Sequence, residues 1–424
     1  MIFALFGAFV LLLIMNLPVA MTLGVTSLGY LILKDIPLVI LPHRISGGID
    51  SFPLLAIPFF ILAGNLMNNG GVTKRIFNFS SELVGHIPGG LGHVNVVASI
   101  IFAGMTGSAL ADTAGLGTIE IKAMEEEGFD LPFSAAVTVA SATIGPIIPP
   151  SIPLVVYGVL AEVSIAKLFL GGFIPGLLMG LALMVLVYII AKKRKYPTRK
   201  RTTLKKLWST FLSSLASLAA PVFIIGSIVG GIASPTEAGV VACLYAIILG
   251  SFVYKELSFK DIFKALKDTF EMTSVIMLVV GAASLFGWIL TRERLAITLT
   301  QLVVENSISP VSILIATNIL LLVLGCFMET TSIQVILIPI LTPVMKMLGV
   351  DLVHFGVVMV LNLMIGLLTP PFGMGLFVVS KVAKIPIADT IKETWPFIIP
   401  LVLVLIMITF YPPLVTVVPN LLMP

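Results

Sequence analysis

The stretch SATIGPIIPPSIP, residues 141–153, decides the fold. It lies inside an apolar run, yet carries four prolines and a glycine where a membrane helix is expected to continue. Proline has no N–H, so in a helix Pro149 and Pro150 leave the carbonyls of Gly145 and Pro146 without donors. In hydrocarbon an unpaired carbonyl costs on the order of several kcal/mol, so such a break persists only where protein, water or an ion supplies a partner. The plain alternative is a proline kink repaired by neighbouring helices. A second stretch, NLMIGLLTPPFG at 362–373, repeats the feature, with Pro370 and Pro371 leaving the carbonyls of Gly366 and Leu367.

Composition identifies the solvent. Of 424 residues 58% are apolar and 11% charged, and the mean hydropathy is +1.13, more apolar surface than a soluble domain hides. Apolar runs long enough to cross a bilayer recur along the chain, so the expected class is an all-α polytopic membrane protein. The first run lacks a basic leader and a small-residue cleavage site and reads as a retained span. Cys243 and Cys326 lie far apart in apolar segments and suggest no disulfide or metal framework. The stretch KKRKYPTRKRTTLKK, 192–206, holds nine Lys or Arg and no acid. It reads as a solvated tether that the positive-inside rule places in the cytoplasm, too short and too close to membrane runs for nucleic-acid binding.

The tether divides the chain into halves that resemble each other: 1–191, a linker at 192–214, and 215–424. IGPIIPP at 144–150 matches IGLLTPP at 365–371 with an offset of 221, which Pro175 and Pro396 keep. DSF at 50–52 matches DTF at 268–270 with an offset of 218. Each half gives leading spans, an amphipathic stretch (72–86; 293–305), an interrupted run (94–124; 309–348), a proline-broken run (133–158; 354–383) and a last span. Re-entrant hairpins in the interrupted runs leave five crossings per half, an odd count that makes the halves inverted copies with both termini in the periplasm.

AGMTGSALADTAGLG, 103–117, and LGCFMETTSIQ, 324–334, place hydroxyl and small residues around Asp112 and Glu329 at membrane depth. Intramembrane carboxylates are functional candidates, and freed carbonyls with nearby hydroxyls suit a hard cation such as Na⁺. Each carboxylate stands where it can cap the next half-helix, ligate a cation or touch substrate. Glu329 is followed by Thr330, Thr331 and Ser332, any of which can cap in its place. The expectation is therefore that Glu329 is free for the ion and Asp112 mainly caps. The four histidines, His43, His86, His93 and His354, show no H-E-x-x-H spacing and read as loop or interface residues, which disfavours a membrane-embedded enzyme. No phosphate-binding glycine loop followed by Lys exists to support an ATP-driven pump, and paired hairpins fit alternating access better than a continuous pore.

DSFPLLAIPFFILAGNLM (50–67), GMTGSALAD (104–112), IGPIIPPSIPLVVYG (144–158), SPTEAG (234–239) and LGCFMETTSI (324–333) together resemble the large membrane subunit of tripartite ATP-independent periplasmic (TRAP) transporters, over almost the whole chain. The resemblance implies an elevator-type, Na⁺-coupled importer in the bacterial inner membrane. A periplasmic substrate-binding protein would deliver an organic acid, sialic acid or a C4-dicarboxylate, and a small four-helix membrane subunit would bind beside the scaffold. An autonomous sodium/carboxylate symporter with no soluble receptor is the alternative. The expected sodium ligands are Ser108, Ser141, Thr143, Gly145 and Pro149 in the first half and Gly325, Glu329, Thr330, Gly366 and Thr369 in the second. The expected substrate contacts are Thr106, Ser108, Asp112, Thr331, Ser332 and Asn362.

Overall fold

A computed structural model describes residues 2–305 and 309–423, apart from the side chains of 2, 3, 302 and 304. The regular structure of its described residues is all helical, with no strand. The first half comprises α1 (Ile2–Ile14), α2 (Val19–Leu33), α3 (Ile40–Ile49), α4 (Ala56–Asn69), α5 (Val72–Val84), α6 (Gly90–Thr106), α7 (Ala109–Ala114), α8 (Leu116–Glu126), α9 (Leu131–Ala142), α10 (Ile152–Leu160) and α11 (Ile165–Arg194). The second comprises α12 (Leu204–Val229), α13 (Pro235–Ile248), α14 (Phe259–Arg292), α15 (Leu295–Glu305), α16 (Pro310–Gly325), α17 (Thr330–Met347), α18 (Leu352–Gly366), α19 (Met374–Ala383), α20 (Ile387–Phe410) and α21 (Pro413–Leu422). Seven helices among the described residues are long and apolar enough to cross a membrane. Large apolar side chains such as Leu181, Val222 and Leu403 stand exposed on the outer faces of α11, α12 and α20, as a lipid-facing surface requires.

The helix ends follow from local chemistry. Ser234 with Glu237, and Ser258 with Asp261, form reciprocal capping boxes that start α13 and α14. Gly107, at φ +61°, ends α6 in the left-handed region and turns the chain sharply into α7. α5 buries Ile76, Phe77 and Ser80 on one side and exposes Lys74 on the other, the amphipathic arm that the sequence suggests. α14 has 34 residues and spans roughly 51 Å, well beyond the hydrocarbon thickness.

The helices pack in two groups. α2, α3 and α4 gather on α14, and α4 also packs against α13. The interrupted and broken elements form the other group: α6 against α9 and α11, α16 against α18, α9 against α20, and α10 against α17. The groups meet where α14 touches α17 and where α4 touches α6.

Several expectations need correction. The stretch 192–214 is mostly helical: α11 continues to Arg194 and α12 starts at Leu204, so the extended linker is only 195–203. α3 is a short helix where the apolar pattern gave no element, and α21 is a separate short helix that the pattern merged into the preceding span at 395–418. The DSF and DTF triplets are not structurally alike, because Phe52 opens a 3₁₀ turn before α4 whereas Asp268–Phe270 lies within α14. His93 and His354 are buried helix residues and not loop residues, their Nε2 atoms on the carbonyls of Pro88 and Ile408 at 3.0 and 2.7 Å.

Candidate functional site

Two helix tips and two helix breaks come together inside the second packing group. In the first, α6 stops at Thr106 and α7 begins at Ala109 with Ser108 as its cap, the Ser108 hydroxyl accepting from the N–H of Ala111. Opposite lies the non-helical stretch 143–151 between α9 and α10. Contact is so close that a Cβ at Gly107 would come within 2.5 Å of the Pro150 carbonyl oxygen, so only glycine fits both that space and the positive φ. Ser151 caps α10 by accepting from Leu154 N–H at 3.2 Å, and its hydroxyl donates to the carbonyl of Pro146. Pro149–Pro150 and Pro370–Pro371 are both joined by cis peptides.

Asp112 is the centre of this first site. It is 2% exposed, and its Oδ1 accepts from the Thr106 hydroxyl. Its Oδ2 has no hydrogen-bond partner among the described residues and faces the backbone of Gly145, where a Cβ would stand 2.5 Å away. Of the four carbonyls released by the prolines, Pro146 accepts from Ser151, Gly366 from Thr369 N–H at 3.0 Å and Leu367 from Gly375 N–H at 3.1 Å. The Gly145 carbonyl alone has no donor among the described residues. The expected freeing of Gly366 and Leu367 is thus overturned, because the loop of the second break folds back to supply backbone N–H groups. Among the described residues Asp112 has no ion-pair partner, and its unpartnered oxygen and the Gly145 carbonyl are of the oxygen type that hard cations take.

The second tip is built differently. α16 ends at Gly325, whose backbone lies against Gly366 so closely that a Cβ on Gly366 would reach 2.6 Å from the Gly325 Cα. Gly373 N–H donates to the Cys326 carbonyl at 3.2 Å, tying the tip to the break. Glu329 caps α17: its Oε2 accepts from Ser332 N–H at 3.1 Å and its Oε1 from the Thr331 hydroxyl at 2.9 Å. The expected roles of the carboxylates are therefore reversed. Asp112 stands at the fourth residue of α7, past capping reach, and Ser108 caps; Glu329 is the cap.

Other anticipated residues are distributed unevenly. Ser141 donates to Asn95 Oδ1 at 2.6 Å and accepts from Ser99, within the α6–α9 interface. Thr143 and Thr369 bond back to the carbonyls of Ala140 and Ile365 at 2.6 and 2.8 Å. Asn362 donates to Asn318 on α16, through the backbone at 3.0 Å and the side chain at 2.8 Å, and Pro149 borders an apolar crevice beside α12. Ser108, Glu329, Thr330 and Thr331 do converge: with Pro146 and Met272 they line a cavity of about 280 Å³ between the two tips and α14. Thr106 and Ser332 lie outside its lining, the first donating to Asp112 and the second having its N–H on Glu329.

Sequence reasoning passed over Asn95, Ser99 and Thr138, which hydrogen-bond with Ser141, and Glu120, which is 1% exposed on α8. It also passed over Gln334, whose amide on α17 donates to the Pro153 carbonyl at the start of α10 at 3.1 Å and joins the halves. The available signal was a polar side chain flanked by apolar neighbours within a helix, which the rarity of such residues in membranes makes informative.

A helical membrane bundle whose two interrupted elements meet two broken ones around a cavity edged by Ser108, Glu329, Thr330 and Thr331 has the architecture of a transport protein. The comparisons agree. The family described as "Tripartite ATP-independent periplasmic transporter, DctM component" matches residues 6–414, and the chain belongs to it. It is 48% identical over 376 residues to the sialic acid TRAP transporter permease SiaT of Haemophilus influenzae, covering 89% of this chain and 61% of that longer protein. It is 45% identical to the sialic acid large permease SiaM of Vibrio cholerae, over 97% of this chain and 96% of that one. Identity to the C4-dicarboxylate large permease DctM of Pseudomonas aeruginosa is 39%, over 88% and 87% of the two chains. The fold resembles the Alcanivorax borkumensis YdaH transporter, with a TM-score of 0.64 at 14% identity, covering 89% and 90%.

Proposed function

We propose that the chain is the transport subunit of a Na⁺-coupled, binding-protein-dependent importer of an organic acid, with sialic acid as the substrate. The observation that carries the coupling ion is the paired vacancy of hydrogen-bond donors at Asp112 Oδ2 and Gly145 O. Both oxygens suit Na⁺, and a bound ion satisfies two buried acceptors at once. The substrate occupies the cavity between Ser108 and Thr331, whose lining includes Gly107 and Pro146 of the same tip and break that carry the ion site, and the Na⁺ there offsets the charge of Asp112.

The inverted-repeat reading draws support from like elements in like order: a tip, a break and a long proline-bearing helix in each half, with Pro175 in α11 and Pro396 in α20. The two packing groups supply a moving part, α6–α11 with α16–α20, and a scaffold, α1–α4 with α12–α14, for an elevator movement. Sialic acid is favoured by the names of the relatives at 45% and 48% identity, and a soluble binding protein and a small membrane subunit by the "large permease" naming of the Vibrio relative. In this reading the membrane is the bacterial inner membrane, with linker 195–203 cytoplasmic. Uptake of labelled sialic acid into proteoliposomes, with binding protein and small subunit each added or withheld, tests the assignment. Robust uptake of free substrate by the membrane subunits alone returns the chain to the autonomous symporter class.

A further inference from the structure

The nine basic residues between Lys192 and Lys206 divide into two sets by what they touch. Three face the protein. Arg194 pairs with Asp130 at 3.1 Å and with Glu393 on α20 at 2.8 Å, Arg199 with Glu127, and Lys206 with Glu82 on α5 at 2.6 Å. The linker backbone joins in, Arg199 N–H donating to the Gly85 carbonyl at 3.1 Å, and the Tyr196 hydroxyl donates to Asp130. These contacts hold residues 195–203 against the turn between α5 and α6 and the turn between α8 and α9. Lys192, Lys193, Lys195, Lys200, Arg201 and Lys205 are left exposed, with no acidic partner among the described residues.

The level of this patch relative to the bilayer is readable from its neighbours. On α11 the exposed apolar Val185 and Ile189 give way within one turn to Lys192 and Lys193. On α12 Lys205 stands one turn from exposed Trp208, followed by exposed Leu212 and Leu215. An aromatic ring at the change from apolar to basic marks the headgroup region. We propose that the six outward residues form a binding site for anionic phospholipid headgroups, held in shape by the three inward residues. Clusters of this size beside a membrane helix attract acidic lipid through charge and hydrogen bonds to phosphate oxygens. The proposal rests on the membrane placement of α11 and α12 and is independent of the transported substrate.

The chain has only three tryptophans, so the substitutions Trp288→Phe and Trp395→Phe leave Trp208 as the sole indole reporter. The full-length protein is placed in nanodiscs of phosphatidylcholine containing about 10 mol % of a brominated lipid, either phosphatidylglycerol or phosphatidylcholine, and Trp208 quenching is compared. The expected result is at least about twofold greater quenching by the brominated phosphatidylglycerol, lost when salt is raised about tenfold. The preference should also disappear when the six outward residues are changed to Gln. Equal quenching by the two lipids in protein with native charges overturns the proposal, as does a preference that survives both high salt and neutralisation. Equal quenching combined with loss of small-subunit association in the neutralised variant also overturns it and assigns the patch to a protein partner.

Discussion

Asp112 and Glu329 occupy similar sequence contexts and do opposite things. Glu329 spends both oxygens on the start of α17, whereas Asp112 keeps Oδ2 unpartnered beside Gly145. Asp112→Asn removes a full charge from the ion site and should raise the Na⁺ concentration for half-maximal uptake more than tenfold, over ~1.4 kcal/mol. Glu329→Gln keeps an acceptor for Ser332 N–H, so its apparent Na⁺ affinity should change less than about threefold. Matching small effects in a Na⁺ titration of uptake would remove Asp112 from the ion site. Gly145→Ala puts a methyl group 2.5 Å from Asp112 Oδ2 and should weaken Na⁺ in the same assay while leaving the protein folded. The candidate residues were legible because hydroxyls and carboxylates are rare at membrane depth. Their division of labour was not, since it depends on whether Ser108 or Asp112 faces the first N–H groups of α7, a matter of one turn of backbone.

At the scale of elements, the breaks were legible from proline chemistry, but what satisfied their carbonyls was not. The second break is closed by N–H groups of Thr369 and Gly375 in its own loop and following helix, a return that only the folded backbone shows. Its contact with the second tip has no room: Gly366→Ala drives a methyl group into the Gly325 backbone at 2.6 Å, so α16 and α18 must separate. Such overpacking costs ~1–3 kcal/mol, and the thermal midpoint of the purified protein should fall accordingly. An unchanged midpoint would show that the two helices are loosely apposed. The linker gives a pH dependence of definite sign. Burial pushes the Glu82 carboxyl up, and Lys206 with Thr202 more than offsets this, leaving it below its ordinary value of 4.5. A depressed carboxylate stabilises the folded state above the unfolded value and loses that contribution as pH falls through the folded one. The anchoring of α12 to α5 is therefore complete at neutral pH and weakens only below about 4.5. Trp208 emission in the single-tryptophan protein should shift in that range and stay flat in Glu82→Gln.

For the whole molecule, hydropathy and proline spacing announced an all-helical membrane bundle, and the family assignment over residues 6–414 agrees. The packing was less accessible, because contacts such as Gln334 to the Pro153 carbonyl join residues far apart in the sequence through single polar groups on apolar helices. In the proposed cycle each Na⁺ crossing with the membrane potential contributes roughly 2.3 kcal/mol per 100 mV, so import of a monoanion with two or more ions is electrogenic. The most direct test of the central claim is uptake of labelled sialic acid by proteoliposomes holding this chain and its small membrane subunit, with binding protein present, as external Na⁺ is replaced by K⁺. Accumulation is expected with an inward Na⁺ gradient, with near-complete loss in K⁺ and a strongly raised Na⁺ requirement in Asp112→Asn. Undiminished uptake without Na⁺, or an Asp112→Asn protein with an unaltered Na⁺ requirement, would contradict it.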